Sequence, residues 1–225
     1  MEINTVAKKL VMKNQKASMK VSTPVGRFLW LNLAHPKPAD APMQANKYTC
    51  TVAWDKKEMT DANKSAMQAL VKAIEDVARE AYGDDTLTIK DIPQSVLKDG
   101  ASMENLPYLH DMWVCSSSTG AKYPPIVYGP VKAVGAMPVA EIENIAQGDY
   151  GRMVITVSAY KTPATHGITC YLSLAQFAKK GEYLGGSTGS SLIDDLDVGL
   201  DNVEESETET ASGKKEDNLD DFFSL

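Results

Sequence analysis

The chain has 225 residues, with 23 Lys and Arg against 30 Asp and Glu, and a formal net charge of −7. Taken as one figure, that charge speaks against a nucleic-acid partner, because phosphate binding needs a basic surface. A hydrophobic share of 43% and a charged share of 24% fit an ordinary globular chain, no apolar run reaches the ~18–20 residues of a membrane span, and the opening MEINTVAKKLVMKNQK lacks the apolar stretch of a secretory signal.

Residues 1–47 are basic, with Lys8, Lys9, Lys13, Lys16 and Lys20 ahead of the first strand pattern. In Arg27–Leu33, Leu29, Leu31 and Leu33 alternate with Phe28, Trp30 and Asn32, the period of a half-buried strand. Lys47–Trp54 alternates in the same way, with Tyr48, Cys50, Val52 and Trp54 on one face. A helix follows, capped by Thr60 or Asp61 and ended by Gly83. Its Met67, Leu70, Val71, Ile74, Val77, Ala78 and Ala81 form one apolar stripe. That helix and the loop with Asp84, Asp85 and Asp91 hold seven of the 18 acidic residues before position 190, which makes them poor candidates for a phosphate-facing surface. Met112–Ser116 and Ile126–Tyr128 are short strand candidates. Arg152–Tyr160 is a longer one, with Met153, Ile155, Val157 and Ala159 on one face and Arg152 and Tyr160 on the other. Ile168–Phe177 completes the body, its two faces less cleanly separated. Several strands, one inserted helix and no long repeat suit a small barrel or sandwich.

From Gly185 onward the composition shifts to Gly, Ser, Thr, Asp and Glu, the signature of a disordered tail. Residues 190–225 carry a net −10 and residues 1–189 a net +3, so the whole-chain figure conceals a mildly basic body. The tail ends NLDDFFSL, where Asp220 and Asp221 precede Phe222 and Phe223. Adjacent aromatics behind paired carboxylates read as a docking peptide, the alternative being a solvated tail that serves solubility.

Enzyme motifs are missing: no phosphate-cradling GxxxxGK[ST], no GxGxxG after a strand, no HExxH and no GxSxG. His35, His110 and His166 and the three cysteines Cys50, Cys115 and Cys170 contain no pair at metal-ligand spacing, so neither a metal nor another cofactor is expected. The odd, scattered cysteines exclude a disulfide framework and suit a reducing compartment.

A binding surface remains. If the leucines of Arg27–Leu33 face the core, Phe28 and Trp30 look outward beside Arg27 and the basic N-terminal segment; if they pack under the helix, they are core. Exposed rings among cations are what a single-stranded nucleic-acid groove requires, because bases stack on rings while cations follow the backbone. On this reading Phe28 and Trp30 stack, with Tyr160 and Trp113 behind them. Arg27, Lys47, Arg152 and Lys161 contact phosphates, and Tyr123 lies near the Lys122 loop.

Four stretches in order, GRFLWLNLAHPKP (26–38), KYTCTVAWDKK (47–57), LKDG (97–100) with WVCSSSTGAKYPPIVY (113–128), and GDYGRMVITVSAYKTPATHGITCYLSLAQFAKKGEYLGG (148–186), precede the acidic tail. Together the chain resembles the single-stranded DNA-binding proteins of tailed bacteriophages. The resemblance implies a mainly β, five-stranded Greek-key OB-fold barrel over residues 1–186, with one inserted amphipathic helix, and a disordered acidic tail over 187–225. It further implies a non-enzymatic protein that coats single strands without sequence preference during phage replication and recombination, in the cytoplasm of the infected host. Its tail would recruit phage or host replication proteins through Asp220, Asp221, Phe222 and Phe223, and would compete for the DNA groove. No membrane partner is implied, and a homodimer stays open. Ser224 and Leu225 follow the aromatic pair, a departure from relatives that end in the aromatic itself. Rival readings are an RNA-binding module with the same surface and a protein-interaction scaffold whose aromatics are core.

Overall fold

The computed structural model describes residues 10–39, 45–92, 95–131 and 134–184; the tail, with Asp220, Asp221, Phe222 and Phe223, lies outside them. The elements run β1 (Ser18–Ser22), β2 (Gly26–Lys37), β3 (Lys47–Asp55), α1 (Asp61–Tyr82), β4 (Leu97–Asp99), β5 (Met112–Gly120), β6 (Ile126–Tyr128), α2 (Val139–Ile142), β7 (Tyr150–Lys161) and β8 (His166–Lys179). The six strand candidates are all present, mostly longer than their hydrophobic alternation. The short β1 and β4 carry too little alternation to stand out in the sequence.

Five strands pair in a ring: β7 with β2, β2 with β3, β3 with β5, β5 with β8, and β8 with β7. All these pairings are antiparallel except β5–β8, a parallel seam that rests on one pair, Ser118 opposite Tyr171. Numbered within the ring, the order is first, second, third, fifth, fourth, a mainly β, OB-like arrangement. β1 adds to β7, β4 to β5 and β6 to β8.

Helix α1 lies in the chain between β3 and β5 and packs against β1, β7 and β8. Thr60 caps it by accepting from the Asn63 N–H, and Gly83 ends it in the left-handed region at φ 61°, which costs a residue without Cβ nothing. Leu70, Ile74, Val77 and Ala78 of its apolar stripe enter the main core beside Val52, Trp54, Ile155 and Val157. A second, smaller cluster sits on the outer face of the ring, where Leu29, Ala53 and Val114 are covered by Leu109 and flanked by Tyr108 and Leu184.

Strand β2 departs from simple alternation. Leu29 pairs with Thr51 and Asn32 with Thr49, so Trp30 and Leu31 together oppose Cys50 alone. This is a β-bulge, which inserts one residue and reverses the phase of the strand. Phe28 therefore points inward with Val52, fully buried, while Leu29 is buried on the outer face. Past the bulge Asn32 is outer and Leu33 is core. The expectation that Leu29, Leu31 and Leu33 share the core face and leave Phe28 outside is corrected on this point. Gly151 gives the local reason: a Cβ there would overlap the Phe28 ring, so the missing side chain makes room for the aromatic inside.

Candidate nucleic-acid interface

Trp30 stands at the bulge with φ 47°, the one described residue other than glycine in the left-handed region. An aromatic pays a steric penalty there, and such strain persists where the surroundings hold it. Two side chains do so: the Trp30 N–H donates to Gln147 Oε1 (3.4 Å), and its carbonyl accepts from Thr49 Oγ1 (3.2 Å). The ring is left 38% exposed.

Trp30 borders a cavity of about 730 Å³ on the outer face of β2, β3 and β5, shared with Asn32, Thr49, Thr51 and Gln147. A second cavity of about 710 Å³ adjoins it, sharing Val96, Ser116, Ser118 and Thr169, and is bordered by Lys47, Lys98, Tyr160 and Tyr171. The two form one open groove over the strands that carry ligands in OB folds. Trp30 marks one end, and half-exposed Tyr171 with Tyr160 marks the other. Among the described residues that border the groove there is no Asp or Glu, while Lys37, Lys47 and Lys98 are present.

The floor follows from the β3–β5 register, which sets Thr49 against Ser118 and Thr51 against Ser116. Thr51 and Ser116 hydroxyls bond at 2.8 Å, and Asn32 Nδ2 donates to Thr49 Oγ1 at 2.8 Å. Hydroxyls can each donate or accept, so such a floor meets any base edge or sugar without demanding one partner. Rings above, hydroxyls below and lysines at the rim suit a flexible polyanion with exposed planar groups.

The sequence-derived residues divide between groove and scaffold. Trp30, Lys47 and Tyr160 border the groove. Exposed Lys161 follows Tyr160, and exposed Tyr123 sits in the turn after Gly120, which pairs with Lys47. Phe28 is core and offers no ring to a base. The Arg27 guanidinium is committed to the Gly148 and Glu182 carbonyls and the Tyr150 hydroxyl, and lies 4.7 Å from the Tyr150 ring centroid. Trp113 pairs with Trp54, stands 5.1 Å from the Lys56 ammonium and borders neither cavity. Arg152 donates to Gln176, and eight residues of strand, roughly 26 Å, separate it from Tyr160. Sequence reasoning missed Tyr171, Lys98, Asn32 and Gln147. For Tyr171 a signal existed, since Thr169, Tyr171 and Ser173 alternate with Ile168, Cys170 and Leu172; Gln147 lies in a loop without any period.

Asp149 fixes the loop that carries Gln147. Its buried carboxylate accepts from the Ala146 and Gly181 N–H groups and pairs with Lys180 at 3.0 Å. Burial pushes this carboxyl up, but these hydrogen bonds and the lysine outweigh it and hold it below its ordinary value. Cys50, Cys115 and Cys170 are free and buried. Burial raises the Cys50 thiol, and a hydrogen bond with Cys115 together with burial raises Cys170, so both are poor nucleophiles. Among the described residues no three His, Cys, Asp or Glu side chains converge as a metal site, and no helix is long and apolar enough to cross a membrane.

The ring of strands and the ring-and-lysine groove on its outer face define an OB-like binding module. The chain belongs to the family of the Enterobacter phage Enc34 ssDNA-binding protein, whose model matches residues 19–209. Its fold is similar to the single-stranded DNA-binding protein from bacteriophage Enc34 in complex with ssDNA, at a TM-score of 0.59 and 20% identity, over 80% of this chain and 100% of that one. The C-terminal truncation of the same Enc34 protein is similar at a TM-score of 0.58 and 19% identity, over 80% of this chain and 99% of that one. No curated protein sequence matches the chain.

Proposed function

We propose that the protein binds single-stranded DNA without sequence preference, in the cytoplasm of a phage-infected bacterium, and protects it during replication and recombination. One observation carries the reading most: Trp30 is held at a strained bulge by Gln147 and Thr49, at the end of a groove with no carboxylate among the described residues that border it. Membership of the Enc34 family supports it. Trp30, Tyr160 and Tyr171 stack on bases, Lys47 and Lys98 contact phosphates, and Lys161 and Tyr123 extend the rim. Catalysis has no part in this role. Binding releases counterions, so log K falls with log salt by about 0.7 per neutralised phosphate on a single strand.

The acidic tail recruits replication proteins through Asp220, Asp221, Phe222 and Phe223 and competes for the groove when DNA is absent; its net charge of −10 over residues 190–225 supports the competition. Deleting residues 190–225 tightens binding to oligo-dT at low salt. Equal affinity of the full chain and the truncation would contradict the competition. Titration with matched DNA and RNA oligonucleotides tests the substrate: tighter DNA binding is expected, and tighter RNA binding would favour an RNA role.

A further inference from the structure

We infer that Tyr183 forms an additional base-stacking subsite beyond the Trp30 end of the groove. The inference rests on the single-strand reading proposed above. The outer face of β2, β3 and β5 is groove along Thr49, Thr51, Ser116 and Ser118, but one residue pair further along it is covered. There Ala53 and Val114, with Leu29 from β2, lie beneath Leu109, Tyr108 and Leu184. That covered patch begins at Leu29, the residue next to Trp30 in the chain.

The chain at this patch is held by several independent bonds. The Leu184 carbonyl accepts from Gln147, whose other amide atom holds the Trp30 N–H. The Glu182 carbonyl accepts from Arg27, the Gly181 N–H donates to Asp149, and Lys180 pairs with Asp149. On this clamped stretch Tyr183 is 71% exposed. Burial raises the Tyr108 hydroxyl, and Tyr183 raises it further. A large ring left in water on a fixed backbone, one residue from the chain that Gln147 links to Trp30, is built to meet something flat. Lys179, exposed nearby in the chain with its ammonium 4.7 Å from the Tyr150 ring centroid, supplies a cation for a phosphate backbone. A single strand leaving the groove past Trp30 therefore meets a further ring.

Oligo-dT length separates this subsite from the groove. The full-length protein, Tyr183→Ala and Tyr183→Phe are titrated with oligo-dT of about 4 and about 16 nucleotides, the span that one OB fold covers. Tyr183→Ala is expected to weaken binding of the longer oligonucleotide about fivefold or more, the loss of one stacked base. The short oligonucleotide is expected to bind unchanged, and Tyr183→Phe to bind both like the parent. An equal loss at both lengths, no loss on the longer strand, or failure of Phe to restore it would overturn the subsite. If the parent binds neither oligonucleotide, the single-strand reading itself fails and the subsite with it.

Discussion

Phe28 and Trp30, two residues apart, separate stability from binding. Phe28 fills the core against Gly151, so Phe28→Ala is expected to cost about 3–5 kcal/mol, read as a lower denaturant midpoint. Trp30→Ala keeps a Cβ, and with it the strained φ, but removes an exposed ring. Its melting temperature should change little while oligo-dT affinity falls about fivefold to a hundredfold, the range of one base stack. The two rings look equivalent in the sequence because strict alternation puts them on one face, and only the extra residue of the bulge parts them. Asp149 gives a pH dependence with a definite sign. Its carboxyl sits below its ordinary 3.8 when folded, so its contribution is complete above that value and is lost as pH falls through the lower folded one. Asp149→Asn should flatten the fall in melting temperature below about pH 4; an unchanged acid profile would contradict the role given to this carboxylate.

Among the elements, those with a full hydrophobic period were legible. The helix begins at its Thr60 cap and ends at Gly83 as the sequence dictates, because capping chemistry and a 3.6-residue stripe are local. Thr60→Ala is expected to lower stability by about 1 kcal/mol, measurable by urea denaturation. Strands β2, β3, β7 and β8 were legible from the alternation of side chains along them. What stayed hidden was set by pairing between distant segments: the Trp30 bulge, the single-pair seam of β5 with β8, and the approach of the 144–149 loop to β2. Lys98 and Tyr171 enter the groove only through that assembly, and Arg27 leaves the candidate set because Gly148, Tyr150 and Glu182 converge on it.

At the scale of the whole molecule, the charge of −7 divides into a body of +3 and a segment 190–225 of −10. Within the body, the described groove has lysines and no carboxylate on its border, so the local surface, not the total, governs whether phosphates are accepted. Class and fold were readable as an ordered series of weak motifs, whereas the contact residues needed coordinates. The central claim is that single strands enter this groove and stack on Trp30. It is tested most directly by tryptophan fluorescence during titration with oligo-dT, since Trp54 is buried and Trp113 lies outside the groove. Saturable quenching that reverses with salt, is absent with duplex DNA of equal length and disappears in Trp30→Phe is the predicted result. Quenching that survives Trp30→Phe, or that duplex DNA reproduces at the same salt, would contradict it.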